Sequence, residues 1–308
     1  MDWSLFVDPS LFRLTLVVAA PVLLASLGEV LIERSGVLNV AIEGMMLLGA
    51  SAGFLAAYRA QSNGVGVLVA MATTALVGLV LAVCCVSLRA SQLTVGLALF
   101  VFSVGLSSLL YRLVIGVRTL TPKVTTYGAW ATHGPGLVSW LGRLPIPVYI
   151  ALALVVLVHV VLFHTPFGLR LRACGENPLA AESHGIPVFA FRYGSVLVGS
   201  ALIGAGGALL PLLLTGTYTD LMVGGRGWIA LMLVIFGRWT PFGVLLGAVL
   251  FGYVEALQYS LTLRLPHVPP QFLLMIPYLF VIIVALRAYR GAQAPAALMK
   301  PYDREQRS

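Results

Sequence analysis

Long stretches without a charged residue alternate with short basic clusters along this chain. Residues 60–88, 90–111, 144–169, 193–219 and 265–286 are such stretches, and each exceeds the roughly 20 residues that a helix needs to cross the hydrocarbon core of a bilayer. None shows the strict apolar–polar alternation of a membrane β-strand, and in lipid a spanning segment must satisfy its own backbone polar groups. The pattern predicts an all-α polytopic integral membrane protein, a bundle of about 8–10 transmembrane helices with broken or re-entrant segments.

Residues 11–32 read as a first, retained helix, since the opening MDWSLFVDPS carries acids instead of a basic leader and lacks a small-residue cleavage site. Two later segments are not simple spans. GWIALMLVIFG, 227–237, lies between VGGR and RWTP; about 11 residues at 1.5 Å each reach only ~16 Å, half of a ~30 Å core. In RSGVLNVAIEGMMLLGA, 34–50, Ser35-Gly36 ends the first helix and Asn39, Glu43 and Gly44 interrupt the next. Interrupted segments in both halves of a chain are expected where discontinuous helices build a central transport site. A rough likeness between 36–50 and 225–238 is consistent with an inverted repeat.

Of the 308 residues, 59% are hydrophobic and only 10% charged, against about a quarter charged in soluble domains. The net charge of +8 resides mainly at span ends, which fits topology and anionic headgroups of membrane lipid, not nucleic acid. Cys84 and Cys85 are adjacent in an apolar run and Cys174 sits in a basic loop, so no disulfide framework is expected. His133, His159, His164, His184 and His267 show no metal-ligand spacing, and no metal is expected. The densest basic clusters are loop 164–192 and the tail 287–308, which are expected in the cytosol. Counting back puts Arg89 inside and both the 59–66 turn and loop 115–146 outside. That loop carries Arg118, Lys123 and Arg143 against the rule, yet its Pro, Gly, Trp and Tyr content suits a folded interfacial segment.

A carboxylate at the bilayer centre costs at least ~2.5 kcal/mol, so Glu43 is expected to face the bundle interior or a wet cavity. Asn39 and Glu43 are four residues apart and share a helix face, as do Glu29 and Glu33. Glu43 fits two roles, an interhelical anchor or a pathway group. Glu29, Glu33 and Arg34 read first as a charge cluster at a helix end reaching headgroups, and Glu255, near Gln258 and Tyr259, reads as structural or interfacial. Asp220 falls outside. Gly224, Gly225, Arg226 and Gly227 lack the strand and the Lys-Ser/Thr of a phosphate loop, and read as a re-entrant turn. The chain has no Gly-x-Ser-x-Gly elbow, His-Glu-x-x-His or Walker motif. It is expected to be a non-catalytic subunit with no cofactor of its own; any ATP would be held by a partner subunit.

In GLRLRACGENPLAAESHGIPVFAFR, 168–192, Gly175, Asn177 and Pro178 signal a turn, residues 180–183 favour a short helix, and Gly185-Ile186-Pro187 ends it. RACGENPLAAESHGI resembles the coupling-loop motif of ABC importer permeases. ERSGVLNVAIEGMMLLGA at 33–50 and GGRGWIALMLVIFGRWTPFGVLLGAVLFG at 224–252 resemble the branched-chain amino acid, simple sugar and nucleoside permease superfamily. The likeness covers about residues 11–290 and is greatest to the nucleoside-type subgroup, often described as simple sugar permeases. Branched-chain amino acid permeases usually carry His-Gly-Glu where this chain has Ile42-Glu43-Gly44.

The resemblance implies a single transmembrane permease domain over 1–308 in the bacterial plasma membrane. It implies a second, homologous permease subunit, a cytosolic ATP-binding ABC subunit and an extracytoplasmic substrate-binding protein or lipoprotein. Gly175, Glu176, Asn177, Ala180, Ala181, Gly185 and Ile186 would couple to the ATPase, the plainer role of Glu176 and Asn177 being a helix cap. Asn39, Glu43 and Glu29 are the expected substrate-pathway residues, because amide and carboxylate can bind sugar hydroxyls or base N–H groups. Competing readings are a proton-coupled secondary transporter using Glu43 and Glu29, a membrane enzyme, or a permease for ribose-type sugars or branched-chain amino acids.

Overall fold

The computed structural model describes residues 8–116, 121–129, 142–264, 267–288 and 293–302. Arg118, His133 and the tail residues 289–292 and 303–308 lie outside the described residues. The chain begins with α1, Pro9–Arg34, whose start is set by the Asp8 side chain accepting the Ser10 N–H at 2.8 Å and by Pro9 in the first turn. Then follow α2 (Ile42–Ala60), α3 (Asn63–Ala82, prolonged by a π turn Val83–Ser87), α4 (Gln92–Ile115) and α5 (Ile146–His164). After them come α6 (Pro166–Glu176), α7 (Pro178–Ser183), α8 (Val188–Leu209, prolonged by a π turn Leu210–Thr215), α9 (Arg226–Phe236), α10 (Pro241–Arg264) and α11 (Pro270–Ala288).

Six helical segments among the described residues are long and apolar enough to cross a membrane: α1, α3, α4, α5, α8 and α10, with α3 and α8 counted together with their π turns. Helices α2 and α11, each of 19 residues, complete the bundle, and α9 is short. The protein is an all-α polytopic membrane protein. Helices α1 and α8 are its trunk: 89% and 83% of their apolar windows are buried, against 17% for the peripheral α4.

The trunk packs backbone against backbone. A Cβ on Gly199 of α8 would fall 2.5 Å from the Gly28 carbonyl oxygen of α1, and one on Gly207 only 2.0 Å from that of Met46 in α2. Small residues allow this approach where lipid offers no hydrophobic drive for helix association.

Two irregular segments break the regularity. Residues 35–41 lead from the end of α1 back into the bundle before α2 begins, and residues 216–225 lead to the start of α9. Helix α9 spans about 16 Å and ends at Gly237, where Arg238 and Trp239 adopt φ of +54° and +55° and fold beneath α1. The 227–237 stretch is thus a half-length helix, as its sequence predicts.

The structure corrects the loop reading of 164–192. Its first third is helix α6, started by the Thr165 hydroxyl accepting the Gly168 N–H at 3.2 Å and by Pro166 in the first turn. At the far end, residues 121–129 run extended: Val124 and Tyr127 donate N–H bonds to the Gly216 and Leu212 carbonyls, both at 2.9 Å. The Asn63 amide donates to the Thr125 carbonyl at 2.7 Å. The α2–α3 turn and this segment therefore share one end of the bundle, as the charge count expects.

Candidate functional site where two broken helices meet

A buried non-helical backbone leaves N–H groups that need partners. In the first break, side chains supply them. The Leu38 N–H donates to Gln92 Oε1 at 2.7 Å, the Asn39 N–H to Glu29 Oε1 at 3.1 Å, and the Ala41 N–H to Asn39 Oδ1 at 3.0 Å. Asn39 and Glu29 are both fully buried. They close the break, with Asn39 forming an Asx-type turn at the entry to α2. Gln92 is absent from the residues singled out by sequence; a lone glutamine at a helix start carries no signal of its partner.

The second break is served by Glu43, in the first turn of α2. Its Oε1 accepts the Gly225 N–H at 2.8 Å and its Oε2 the Gly227 N–H at 2.6 Å. One carboxylate thereby caps the N-terminus of α9 from a neighbouring helix, where the helix dipole favours negative charge. The turn requires glycine twice over. Gly224 and Gly225 sit at φ +59° and +87°, and a Cβ on Gly227 would meet the Glu43 Cα at 2.4 Å.

Arg226, between those glycines, points the other way and pairs with Glu255 of α10, whose side chain is 5% exposed. Its Nη1 also donates to the Val223 carbonyl at 3.0 Å. Tyr259 donates to Glu255 at 3.2 Å, and Tyr278 of α11 donates to the Gly224 carbonyl at 2.6 Å. Tyr259 and Tyr278 remain 39% and 44% exposed, so this polar network reaches the protein surface. Beside it the Trp228 and Phe100 rings meet edge to face at 5.6 Å. Glu255 is thus the counter-charge of an intramembrane arginine. The clue lay in Arg226, a cation inside apolar sequence that demands an acid.

Glu29 and Glu33 do not reach out to headgroups, whereas Arg34 is only half-buried. Glu29 and Glu33 are buried, Glu33 accepts the Trp239 indole N–H, and Arg34 donates through Nε to the Trp239 carbonyl at 2.9 Å. The residues after α1 and after α9 meet at this helix end.

The basic end carries the other candidate group. Asn177 caps α7, its Oδ1 accepting the Ala180 N–H at 3.0 Å, and Gly185 ends the turn at φ +77°. Gly175 abuts the α1 terminus, where a Cβ would lie 2.3 Å from the Arg34 carbonyl oxygen. Glu176 Oε2 accepts the Ala296 N–H at 3.1 Å. Ala181 is buried, while Ala180, Gly185 and the short α7 surface are exposed and Ile186 is half-buried. Burial pushes the Cys174 thiol beneath them up to about 11, with Arg192 pulling the other way. Asp220, at the opposite end, bonds the Ser108 hydroxyl at 2.6 Å and faces Arg112 at 3.7 Å. All three cysteines are free, and the described residues hold no cluster of possible metal ligands.

Residues 11–285 match the family described as branched-chain amino acid transport system, permease component. The chain is 36% identical to the guanosine ABC transporter permease protein NupQ of Bacillus subtilis, over 95% of this chain and 96% of the relative. It is 31% identical to the nucleoside ABC transporter permease protein NupC of Lactococcus lactis, over 92% and 93% of the two chains. It is 35% identical over 96% and 98% to TsgC13 of Haloferax volcanii, an ABC transporter permease protein provisionally assigned to glucose. No solved structure matches.

Proposed function

We propose that this chain, which belongs to the family of permease components of branched-chain amino acid transport systems, is the membrane subunit of an ATP-driven importer of nucleosides. The names of NupQ and NupC, matched over nearly their full lengths, support that substrate class. ATP is bound and hydrolysed by a separate ABC subunit, and an extracytoplasmic binding protein or lipoprotein delivers the nucleoside. The chain resides in a bacterial plasma membrane, with loop 164–192 and tail 287–308 in the cytosol.

The observation that carries the transport reading is the meeting of two broken helices at Glu43. Half-helix termini directed at one intramembrane point are the architecture of alternating-access sites. The pathway runs past Glu43 on the side where Arg226, Tyr259, Tyr278 and Trp228 are found, with Asn39 and Glu29 forming its buried floor. Aromatic faces there suit a base, and the tyrosine hydroxyls suit ribose hydroxyls. A network of arginine, glutamate and tyrosines that reaches the surface of a membrane span is a poor neighbour for lipid. A second permease subunit covers that face, and the pathway lies between the two chains.

At the cytosolic end, Gly175, Glu176, Asn177, Ala180, Ala181, Gly185 and Ile186 form the element that docks with the ATPase. Closure of the ATPase dimer displaces α7, and packed helices move as bodies to alternate access.

The test is uptake of labelled guanosine, uridine, ribose, glucose and leucine by cells with and without this chain, with ATP depleted or the proton gradient collapsed. ATP-dependent guanosine or uridine uptake that requires the chain supports the proposal. Uptake driven by the gradient alone would instead make Glu43 and Glu29 proton carriers. Glucose or ribose uptake would favour the sugar reading, for which the likeness to TsgC13 speaks.

A further inference from the structure

The described part of the tail, residues 293–302, contains no helix, yet Pro295 is buried and Ala297 and Tyr302 are only 5% and 3% exposed. A tail that merely trails into solvent has no reason to bury a tyrosine. Its hydrogen bonds and ring contacts converge on α6, α7 and α8. The Ala296 N–H donates to Glu176 Oε2 at 3.1 Å and the Ala297 N–H to the Gly175 carbonyl at 2.9 Å, which ties the tail to the last turn of α6. The Tyr302 hydroxyl donates to the Glu182 carboxylate in α7. Its ring packs with Cys174, Ala181 and Val188, stands 5.7 Å from the Phe189 ring, and lies under the Arg192 guanidinium at 5.7 Å.

Arg192 makes the connection inward. It is fully buried at the start of α8, and its Nε donates to the Ser35 carbonyl at 3.2 Å, in the break between α1 and α2. A Cβ on the adjacent Gly36 would fall 2.9 Å from the Arg192 Nη2 and 3.4 Å from the Ala297 carbonyl oxygen. The tail therefore touches α6, α7, α8 and the first helix break at once, and α7 alone, of 6 residues, is too short to hold its own position.

We propose that the C-terminal strap 293–302 is part of the coupling element, and that Tyr302 is a positioning residue that fixes α7 against α8 and the α1–α2 break. The inference rests on the reading of 175–186 as the ATPase-docking segment. Without the strap, a push on α7 is absorbed by local rearrangement; with it, the push is delivered to Arg192 and Ser35. A chain of packed groups is a physical route for coupling only if disturbing it changes the coupling itself.

Cys174 is a reporter built into the site, since it is buried beneath Tyr302 with its thiol pushed up to about 11 by that burial. In the assembled transporter with Cys84→Ser and Cys85→Ser, maleimide labelling of Cys174 should be slow, and Tyr302→Ala or deletion of 293–308 should speed it by about tenfold or more. The same variants should lower the nucleoside transported per ATP hydrolysed while leaving the amount of assembled complex unchanged. Tyr302→Phe, which keeps the ring and removes the hydroxyl that bonds Glu182, should lower that ratio less. A wild-type ratio in all three variants overturns the strap, whether or not Cys174 becomes reactive. A wild-type complex that couples no uptake to ATP overturns instead the docking reading on which the strap depends.

Discussion

Gly227 sits so close to Glu43 that a Cβ on it would fall 2.4 Å from the Glu43 Cα. The obstacle is backbone, which no rotamer change can move aside. Gly227→Ala should therefore lower the thermal midpoint of the purified protein, since overpacking typically costs about 1–3 kcal/mol. Gly194→Ala is the control: nothing lies within 4 Å of a Cβ there, and alanine in a helix should be neutral or stabilising by up to about 1 kcal/mol. Equal midpoints for the two variants would contradict the close approach of α2 and α9.

Glu43 accepts two backbone N–H groups at once, so its substitutions should be graded. Glu43→Ala orphans both donors, at about 1–3 kcal/mol each, and should reduce both membrane abundance and uptake. Glu43→Gln retains one acceptor oxygen and should keep most of the abundance while uptake falls. Uptake equal to wild type in Glu43→Gln would remove the carboxylate charge from the pathway and leave only its capping role.

Arg226 and Glu255 are 17% and 5% exposed at their side chains. Breaking such a pair by Arg226→Met or Glu255→Leu should cost about 3–5 kcal/mol, because it leaves one buried charge alone. The double substitution should recover much of that stability but not uptake. Recovered uptake would make the pair a structural fastener.

Arg112 and Asp220 lie only 3.7 Å apart, but at 70% and 46% exposure. Such a pair contributes under about 1 kcal/mol, so Arg112→Ala should leave the thermal midpoint nearly unchanged at physiological salt. A large drop would place this end of the protein in a drier setting than its exposure indicates.

The Cys174 thiol, raised to about 11, is neutral at pH 7 and only the thiolate reacts. The folded state thus binds its proton more tightly than the unfolded chain does. Stability from this group is complete below the ordinary thiol value of ~8.5 and is lost as pH rises towards about 11. Alkylation rates measured from pH 7 to 10 should climb with pH without levelling; a plateau near pH 8.5 would mean that the thiol is not buried.

The spans were legible because lipid demands long uncharged runs, and the broken segments because Ser35-Gly36, Asn39 and the glycines at 224, 225 and 227 interrupt them. The turn at Asn177 and the short helix after it could also be read locally, since capping chemistry acts within a few residues. What the sequence hid were relationships between distant residues. Glu43 and Gly225 are separated by 182 positions, Glu33 and Trp239 by 206, Tyr302 and Glu182 by 120. No local period encodes such meetings, and a carboxylate that caps a remote helix reads the same as one that awaits a substrate. Helix α6 was missed for another reason: its charged and apolar residues, PFGLRLRACGE, gave a stronger signal for a cytosolic loop than for a helix.

The glycine contacts of the trunk have a mechanical corollary. Where Gly199 faces the Gly28 backbone and Gly207 the Met46 backbone, no layer of side chains remains that could shear or repack. Helices α1, α2 and α8 behave as one beam, stiff against sliding, and any hinge must be sought outside it. The joint at Gly225–Gly227 lies outside that beam, where one carboxylate holds two helix ends together and can let one of them go.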